Sequence, residues 1–252
     1  MEAWFKTWFD SPYYEMLYKH RDADEARFMI DTLVHSLTLP TGGRVLDLAC
    51  GTGRHSVYLN SLGYDVVGVD LSGPRIAIAS AEAGPHLHFV QADMRHLLDG
   101  DAEATSWSRP AFDLVLNLFT SMGYFNEQSE NQQVLRNVNA VLGPKGTLVI
   151  DFLNAERLVR TLKPEEEHTV AGVHFEVRRR IEGEHVVKRI RITDGDKMLH
   201  FSERVQLLYL DDFERLLKRE HLKIVRLWGD YSGAPFDADV SDRLIVFAEH
   251  LS

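Results

Sequence analysis

The chain is 252 residues long, 44% hydrophobic, with 38 acidic and 28 basic side chains and a formal charge of −10. It can bury a large core, as one domain or as a domain with an insertion, and it lacks the bulk positive charge that nonspecific nucleic-acid binding needs. One cysteine, Cys50, excludes an intramolecular disulfide; with no apolar run near the ~20 residues of a membrane span and no signal-peptide pattern at the start, a cytoplasmic protein without membrane contact is expected.

Seven aromatics, Trp4, Phe5, Trp8, Phe9, Tyr13, Tyr14 and Tyr18, crowd the first stretch. The spacing of Trp4 and Phe5 from Trp8 and Phe9 predicts an amphipathic helix. Such a helix either packs on the core by its aromatic face or closes over a ligand, and both readings stand at this point. Residues 23–37 predict a second helix, with Ala26, Met29, Ile30, Leu33, Val34 and Leu37 on one side. Pro40-Thr41-Gly42-Gly43 breaks it.

Residues 44–49 read as a strand. Val45, Leu46 and Leu48 form a short apolar run of the kind buried on both faces of a parallel sheet. The run ends in Gly51-Thr52-Gly53, where glycine lets the backbone turn and approach a ligand without a Cβ in the way. Residues 53–62 turn helical, and residues 64–70 form a second strand with Asp70 at its end. Strand, glycine turn and helix make a nucleotide-cofactor site in open α/β sheets. Asp70, 23 positions after Asp47, has the spacing at which an acid accepts from ribose hydroxyls. Two departures argue against a dinucleotide such as NAD. Ser56 stands where the phosphate-binding version has a third glycine, and Asp47 would repel a pyrophosphate. Both favour a cofactor with a cationic end and no phosphate.

Ser72 is a fair N-cap for a helix through Ala83, with Pro74 in its first turn. Leu87-His88-Phe89-Val90 predicts a third strand, with Asp93 following at the carboxyl end, where open sheets bind ligands. A polar loop then leads to a fourth strand (112–118), a loop (119–125), a helix (127–142) and a fifth strand (146–152). From 168 to 208 the period becomes two. Val173, Phe175, Val177 and Ile181 alternate with polar residues, as do Val186, Ile190 and Ile192, and then Leu199, Phe201, Val205 and Leu207. Turn signals at Glu182-Gly183-Glu184 and Asp194-Gly195-Asp196 divide them into a three-stranded antiparallel meander. Its one apolar face must cover something, either the mouth of an active site or a second subunit. A helix (211–221), a strand (222–228), a loop (229–237) and a final strand (243–249) complete the chain. The expected class is α/β: a Rossmann-like, seven-stranded, mostly parallel sheet with helices on both faces, plus the inserted meander. The expected organisation is an N-terminal helical cap (1–40), an α/β domain (41–154 and 209–252) and an inserted antiparallel β lid (155–208).

Five stretches in this order resemble the class I S-adenosylmethionine-dependent methyltransferases. They are Val45-Leu46-Asp47-Leu48-Ala49-Cys50-Gly51-Thr52-Gly53, Val69-Asp70, Gln91-Ala92-Asp93-Met94, Phe112-Asp113-Leu114-Val115-Leu116 and Leu142-Gly143-Pro144-Lys145-Gly146-Thr147-Leu148. With Tyr14-Glu15-Met16-Leu17-Tyr18, the resemblance is strongest to the bacterial small-molecule type. It implies S-adenosylmethionine as cofactor. Asp70 would accept from both ribose hydroxyls and Asp93 from the adenine amino group, with the Met94 N–H reading the ring edge. Asp47 would meet the cationic amino group, and Gly51 and Gly53 would bring the backbone close. Ala49, Leu71 and Leu118 are further expected cofactor contacts. Ala49 stands where many relatives have glycine, with little effect expected from so small a residue. Tyr14 would lie near the methionine end and Arg21 near its carboxylate.

Methyl transfer from a sulfonium is an in-line displacement, so positioning, exclusion of water and a ready base carry the rate. The acceptor side is open. Tyr14, Tyr124, His200 and Tyr231 are the catalytic candidates, with Tyr18, Arg204 and Arg243 as further contacts. The twelve histidines offer only His86-x-His88 as a close pair, with no Cys or acid pair at ligand spacing, so no metal is expected. The expected acceptor is a small molecule, its N or O nucleophile taking the methyl. Over 174–204 eight bases face six acids, and strand alternation splits the bases between two faces. That gives no continuous basic track for RNA, though an RNA methyltransferase and a non-catalytic S-adenosylmethionine-binding protein remain the alternatives. A monomer or homodimer fits equally.

Overall fold

The computed structural model describes residues 4–18, 23–99, 106–108, 111–125 and 127–251. Arg21 lies outside them. The first aromatics form two short helices, α1 (Trp4–Phe9) and α2 (Pro12–Leu17), parted by Ser11, whose side chain caps α2. Then follow α3 (Ala23–Ser36), β1 (Arg44–Leu48), α4 (Arg54–Ser61), β2 (Asp65–Asp70), α5 (Gly73–Ala79) and β3 (Leu87–Gln91). The second half has β4 (Phe112–Asn117), α6 (Gln128–Val141), β5 (Leu142–Leu153), α7 (Ala155–Thr161), β6 (Glu165–Val170), β7 (Val173–Glu182), β8 (His185–Asp194) and β9 (Lys197–Gln206). It closes with α8 (Leu210–Arg219), β10 (Leu222–Trp228) and β11 (Arg243–His250).

Seven strands form one sheet in the order β10-β11-β5-β4-β1-β2-β3. It is parallel except for β11, which runs antiparallel to both β5 and β10. Strand alternation divides the apolar side chains between two faces. Val45, Val66, Leu114 and Leu116 pack under α3 and α4 with Met29, Ile30, Leu33 and Leu59. Leu46, Leu48, Val67 and Val115 pack under α6 and α8 with Val134, Leu135, Phe213 and Leu216. The strand order turns back between β1 and β4, and such switch points open a crevice at the carboxyl ends of the strands.

The smaller sheet has four strands, β6-β7-β8-β9, where the sequence predicts three. The missed strand, β6, begins Glu165-Glu166-Glu167-His168 and shows no apolar alternation, because it is an edge. Charge on an edge strand discourages pairing with another chain. The apolar face of this sheet is covered by the chain itself. Phe175, Val177, Ile190 and Ile192 pack around the fully buried Trp8, with Tyr13, Tyr14 and Tyr18 beside them.

One carboxylate ties the two parts. Glu203 of β9 accepts from Trp8 Nε1 at 2.7 Å and Tyr18 OH at 2.6 Å, and pairs with Lys188 Nζ at 2.8 Å. Burial works against its charge, but Lys188 and the two ring donors outweigh it and hold the carboxyl below its ordinary 4.5. Glu203→Gln leaves the Lys188 ammonium without its counter-charge and should cost roughly 3–5 kcal/mol, read from the urea midpoint. A carboxyl depressed on folding binds fewer protons folded than unfolded. Its stabilisation is therefore complete above pH 4.5 and is lost as pH falls below it. That acid-dependent loss should be smaller in the Gln variant.

Candidate active site

The crevice is a cavity of about 400 Å³, within the size range of small-molecule sites. Its floor is the β1 turn, where Ala49, Gly51 and Gly53 have φ of 62°, 58° and 82°. Ala49 is thus more than a small residue. It holds a left-handed backbone that a Cβ opposes, which explains why glycine suits the position. Gly51 lines the cavity, whereas Gly53 does not. A Cβ on Gly53 would come within 2.7 Å of the Phe89 ring, so its small size serves the packing of α4 on β3.

Asp70 ends β2 and is gripped by two turns. Oδ2 accepts from Gly51 N at 2.9 Å and Oδ1 from Ser72 N at 2.8 Å. Each oxygen keeps acceptor capacity toward the cavity, which Asp70 lines. Burial raises its pKa, partly offset by those N–H groups and Arg75. Asp47 is 2% exposed and accepts from Ser56 Oγ at 2.6 Å. Burial, with Asp70 adding repulsion, pushes it up to about 6 against the pull of Ser56. The sequence marks Ser56 only as a missing glycine; its hydroxyl instead serves this acid.

Asp93 caps the Met94–His96 turn and lines the cavity. Its carboxylate is largely taken by Arg95, whose backbone N and Nε reach Oδ1 at 2.9 and 3.0 Å. Burial alone would raise its pKa, but Arg95 holds it below the ordinary range. Met94, Leu71, Leu118, Ala49, Tyr14, Tyr18 and Tyr124 also line the cavity. Its cover comes from α1 and α2. Arg75 of α5 pins them by donating from Nε to Phe9 O at 2.8 Å, and its guanidinium lies 4.9 Å from the Tyr14 ring centre. No spacing rule in the sequence points to this arginine.

Other candidates fall elsewhere. His200 is exposed on the outer face of β9, because Leu199 and Phe201 take the inner one. Tyr231 is outside the cavity lining and donates to Asp151 Oδ2 at 3.0 Å. Burial and that carboxylate raise its phenol pKa, which works against the phenolate a base would need. Arg204 reaches His185 at 3.2 Å, and Arg243 pairs with Asp151 at 2.7 Å. Neither lines the cavity. Cys50 does, but burial and then the acids Asp47 and Asp70 push its thiol up, away from the nucleophilic thiolate. The sequence misses His55. It lies in the wall, 5% exposed, with Nε2 buried and without a partner among the described residues. Burial, helped by Arg54, holds it down at about 3, so it stays uncharged. Among the described residues no helix is long and apolar enough to cross a membrane, and no group of three or more His, Cys, Asp or Glu is arranged for a metal ion.

The raised Asp47 carboxyl burdens the fold as it ionises, from pH 3.8 upward through about 6. Asp47→Asn escapes this. Denaturant titrations at pH 4 and pH 8 should show the variant gaining on the parent at the higher pH only, by on the order of 1–3 kcal/mol.

Residues 45–146 match a family model described as a methyltransferase domain. Glycine N-methyltransferase of Oryctolagus cuniculus is 31% identical over 127 residues, which are 47% of this chain and 43% of that protein. The chain spans about half the length, or less, of the first curated relatives it matches. A dTDP-3-amino-3,4,6-trideoxy-alpha-D-glucopyranose N,N-dimethyltransferase of Streptomyces venezuelae is 26% identical over 238 residues, 87% of this chain and 92% of that one. Among solved structures, an S-adenosylmethionine-dependent methyltransferase from Clostridium acetobutylicum ATCC 824 superposes with a TM-score of 0.77 at 20% identity, covering 95% of this chain and 96% of its own.

Proposed function

On the premise that the chain belongs to the class I S-adenosylmethionine-dependent methyltransferases, we propose that this cavity binds S-adenosylmethionine and directs its methyl group to an amine of a small polar molecule. The observation that carries the reading is the pair of acids at the floor. Asp47 and Asp70 flank a glycine turn that would repel a phosphate and suits a diol beside a cation. Asp70, already fixed by two N–H groups, takes the ribose hydroxyls. Asp47 takes the ammonium, which favours its ionised form. The adenine lies toward Met94, its amino group sharing an Asp93 oxygen with Arg95. The reactive end then lies over β1 and β4, under the aromatic cover.

The bound cofactor supplies a methyl group on a positively charged sulfur, an electrophile that needs no metal. The residues of the chain orient and exclude. Tyr14, Tyr18, Phe5 and Phe9 close the cavity from above and Tyr124 from the side. Two phenols that line the cavity, Tyr14 and Tyr124, are the groups we assign to orient the incoming amine by accepting from its N–H, which leaves the lone pair for the methyl carbon. An amine that arrives neutral gives up its proton to solvent after transfer and needs no side-chain base. The names of the rabbit and Streptomyces relatives both specify nitrogen, which supports an amine over a hydroxyl acceptor. A cytoplasmic setting goes with this reading.

Calorimetry should show binding of S-adenosylhomocysteine, and Asp70→Ala should lose on the order of 1.5–3 kcal/mol, ten- to a hundredfold in affinity. Tighter binding of NAD would end the cofactor assignment. Labelled methyl should pass to a fractionated pool of small amines and not to RNA; transfer to RNA alone would reverse the acceptor. Because the ammonium needs Asp47 ionised, cofactor affinity should fall about tenfold per pH unit below about 6, with proton release on binding. Isothermal titrations in buffers of different ionisation heat measure it, and Asp47→Asn should flatten the profile.

A further inference from the structure

Five non-glycine residues among those described have positive φ, and two are consecutive: Phe119 and Thr120, both at 58°. An aromatic and a β-branched side chain are poorly suited to left-handed backbone. Strain of this kind persists only where surrounding structure enforces it, and it clusters at functional sites.

The enforcing group is a buried ion pair beside the cavity. Asp151 of β5 has no exposure. Its Oδ2 accepts from Phe119 N at 2.8 Å and from Tyr231 OH at 3.0 Å, while its carbonyl accepts from Thr120 N at 2.9 Å. Arg243 of the neighbouring β11 donates from Nε to Asp151 Oδ1 at 2.7 Å and from Nη2 to Thr120 Oγ1 at 2.9 Å. Every one of these bonds lies on the strained pair or on the group that holds it. Buried ion pairs add little stability compared with apolar packing, so general stability does not account for charge here. The result is a placed ring. Phe119 lies against His55, centroids 5.2 Å apart and planes at 27°, with the Arg54 guanidinium 4.4 Å from its centre. All three residues line the cavity, Phe119 just past the end of β4 and Arg54 and His55 at the start of α4.

We propose that Asp151 and Arg243 are positioning residues for methyl transfer: they lock Phe119–Thr120 in left-handed backbone and so fix the Phe119 ring as the wall against which the acceptor is aligned. This rests on the methyltransferase reading above for its kinetic and affinity arms, and the His55 shifts test the placement of the ring without it. On that reading the adenosine end of the cofactor would lie over β2 and β3 and only its reactive end would approach the locked loop, so a displaced Phe119 ring should impair acceptor alignment far more than cofactor binding.

The test uses Asp151→Asn, Arg243→Lys and the milder Tyr231→Phe in the full chain, each scored for S-adenosylhomocysteine affinity, kcat, acceptor KM and the His55 ring proton shifts. Asp151→Asn and Arg243→Lys should lower kcat roughly 10- to 100-fold, the scale of an ångström misplacement. S-adenosylhomocysteine affinity should stay within about threefold, a ΔΔG under roughly 0.7 kcal/mol. The His55 protons should move as the ring current of Phe119 shifts. Tyr231→Phe keeps the ion pair and removes one bond from Oδ2, so it should move the same resonances less; it remains readable if the charge variants fail to fold. Unchanged His55 shifts in Tyr231→Phe and in any charge variant that folds, with only thermal stability lowered, would overturn the proposal. Failure of the parent to bind S-adenosylhomocysteine would instead remove the cofactor assignment, and the His55 shifts would still decide the positioning role.

Discussion

The site depends on a single carboxylate shared between two turns. Asp70 accepts from Gly51 on one side and Ser72 on the other, which joins the end of β1 to the start of α5. Within the turn at 49–53 the Cys50 N–H donates to Val69 O at 3.0 Å and the Gly53 N–H to Cys50 O at 3.0 Å, and the Asp70 contacts add the tie to α5. Burial raises the pKa of the carboxyl, and the two N–H groups limit the rise. A carboxylate that lines the cavity is thereby held in place with no ligand present, and a group fixed beforehand lowers the ordering cost of any binding there.

The cover is organised around a different set of bonds. Arg75 fastens α1 to the large sheet through Phe9, and Glu203 fastens α1 and the end of α2 to the small one through Trp8 and Tyr18. The aromatic helices are thus held between two sheets, and Tyr14, Tyr18, Phe5 and Phe9 reach the cavity from that span. The small sheet contributes by supporting these helices, since none of its residues lines the cavity.

Most of the large sheet is legible in the sequence, because each strand is a short apolar run and the glycine turn has a mechanism that spacing reveals. α3 and the strands from β1 to β4 fall within a residue or two of the sequence expectation. What escapes depends on contacts distant in sequence. β6 lacks alternation because it is a charged edge. The packing of the Phe89 ring behind Gly53 has no sign in the sequence. Tyr231 and Arg243 look like site residues in a loop and a strand end, but their partner is Asp151, 80 and 92 positions away. His55 next to the glycine turn carries no sequence signal for its loss of charge, which comes from burial.

The bond from Trp8 to Glu203 joins residues 195 positions apart. During synthesis the aromatic segment is made well before the strands that bury it. At ordinary elongation rates of about 5–20 residues per second, its indole waits roughly 10–40 s for a partner. The segment that carries β1 to β4 is made well before then. A nascent chain therefore passes through a stage in which this aromatic segment has been made and the strands that bury it have not, the stage at which a chaperone would meet it.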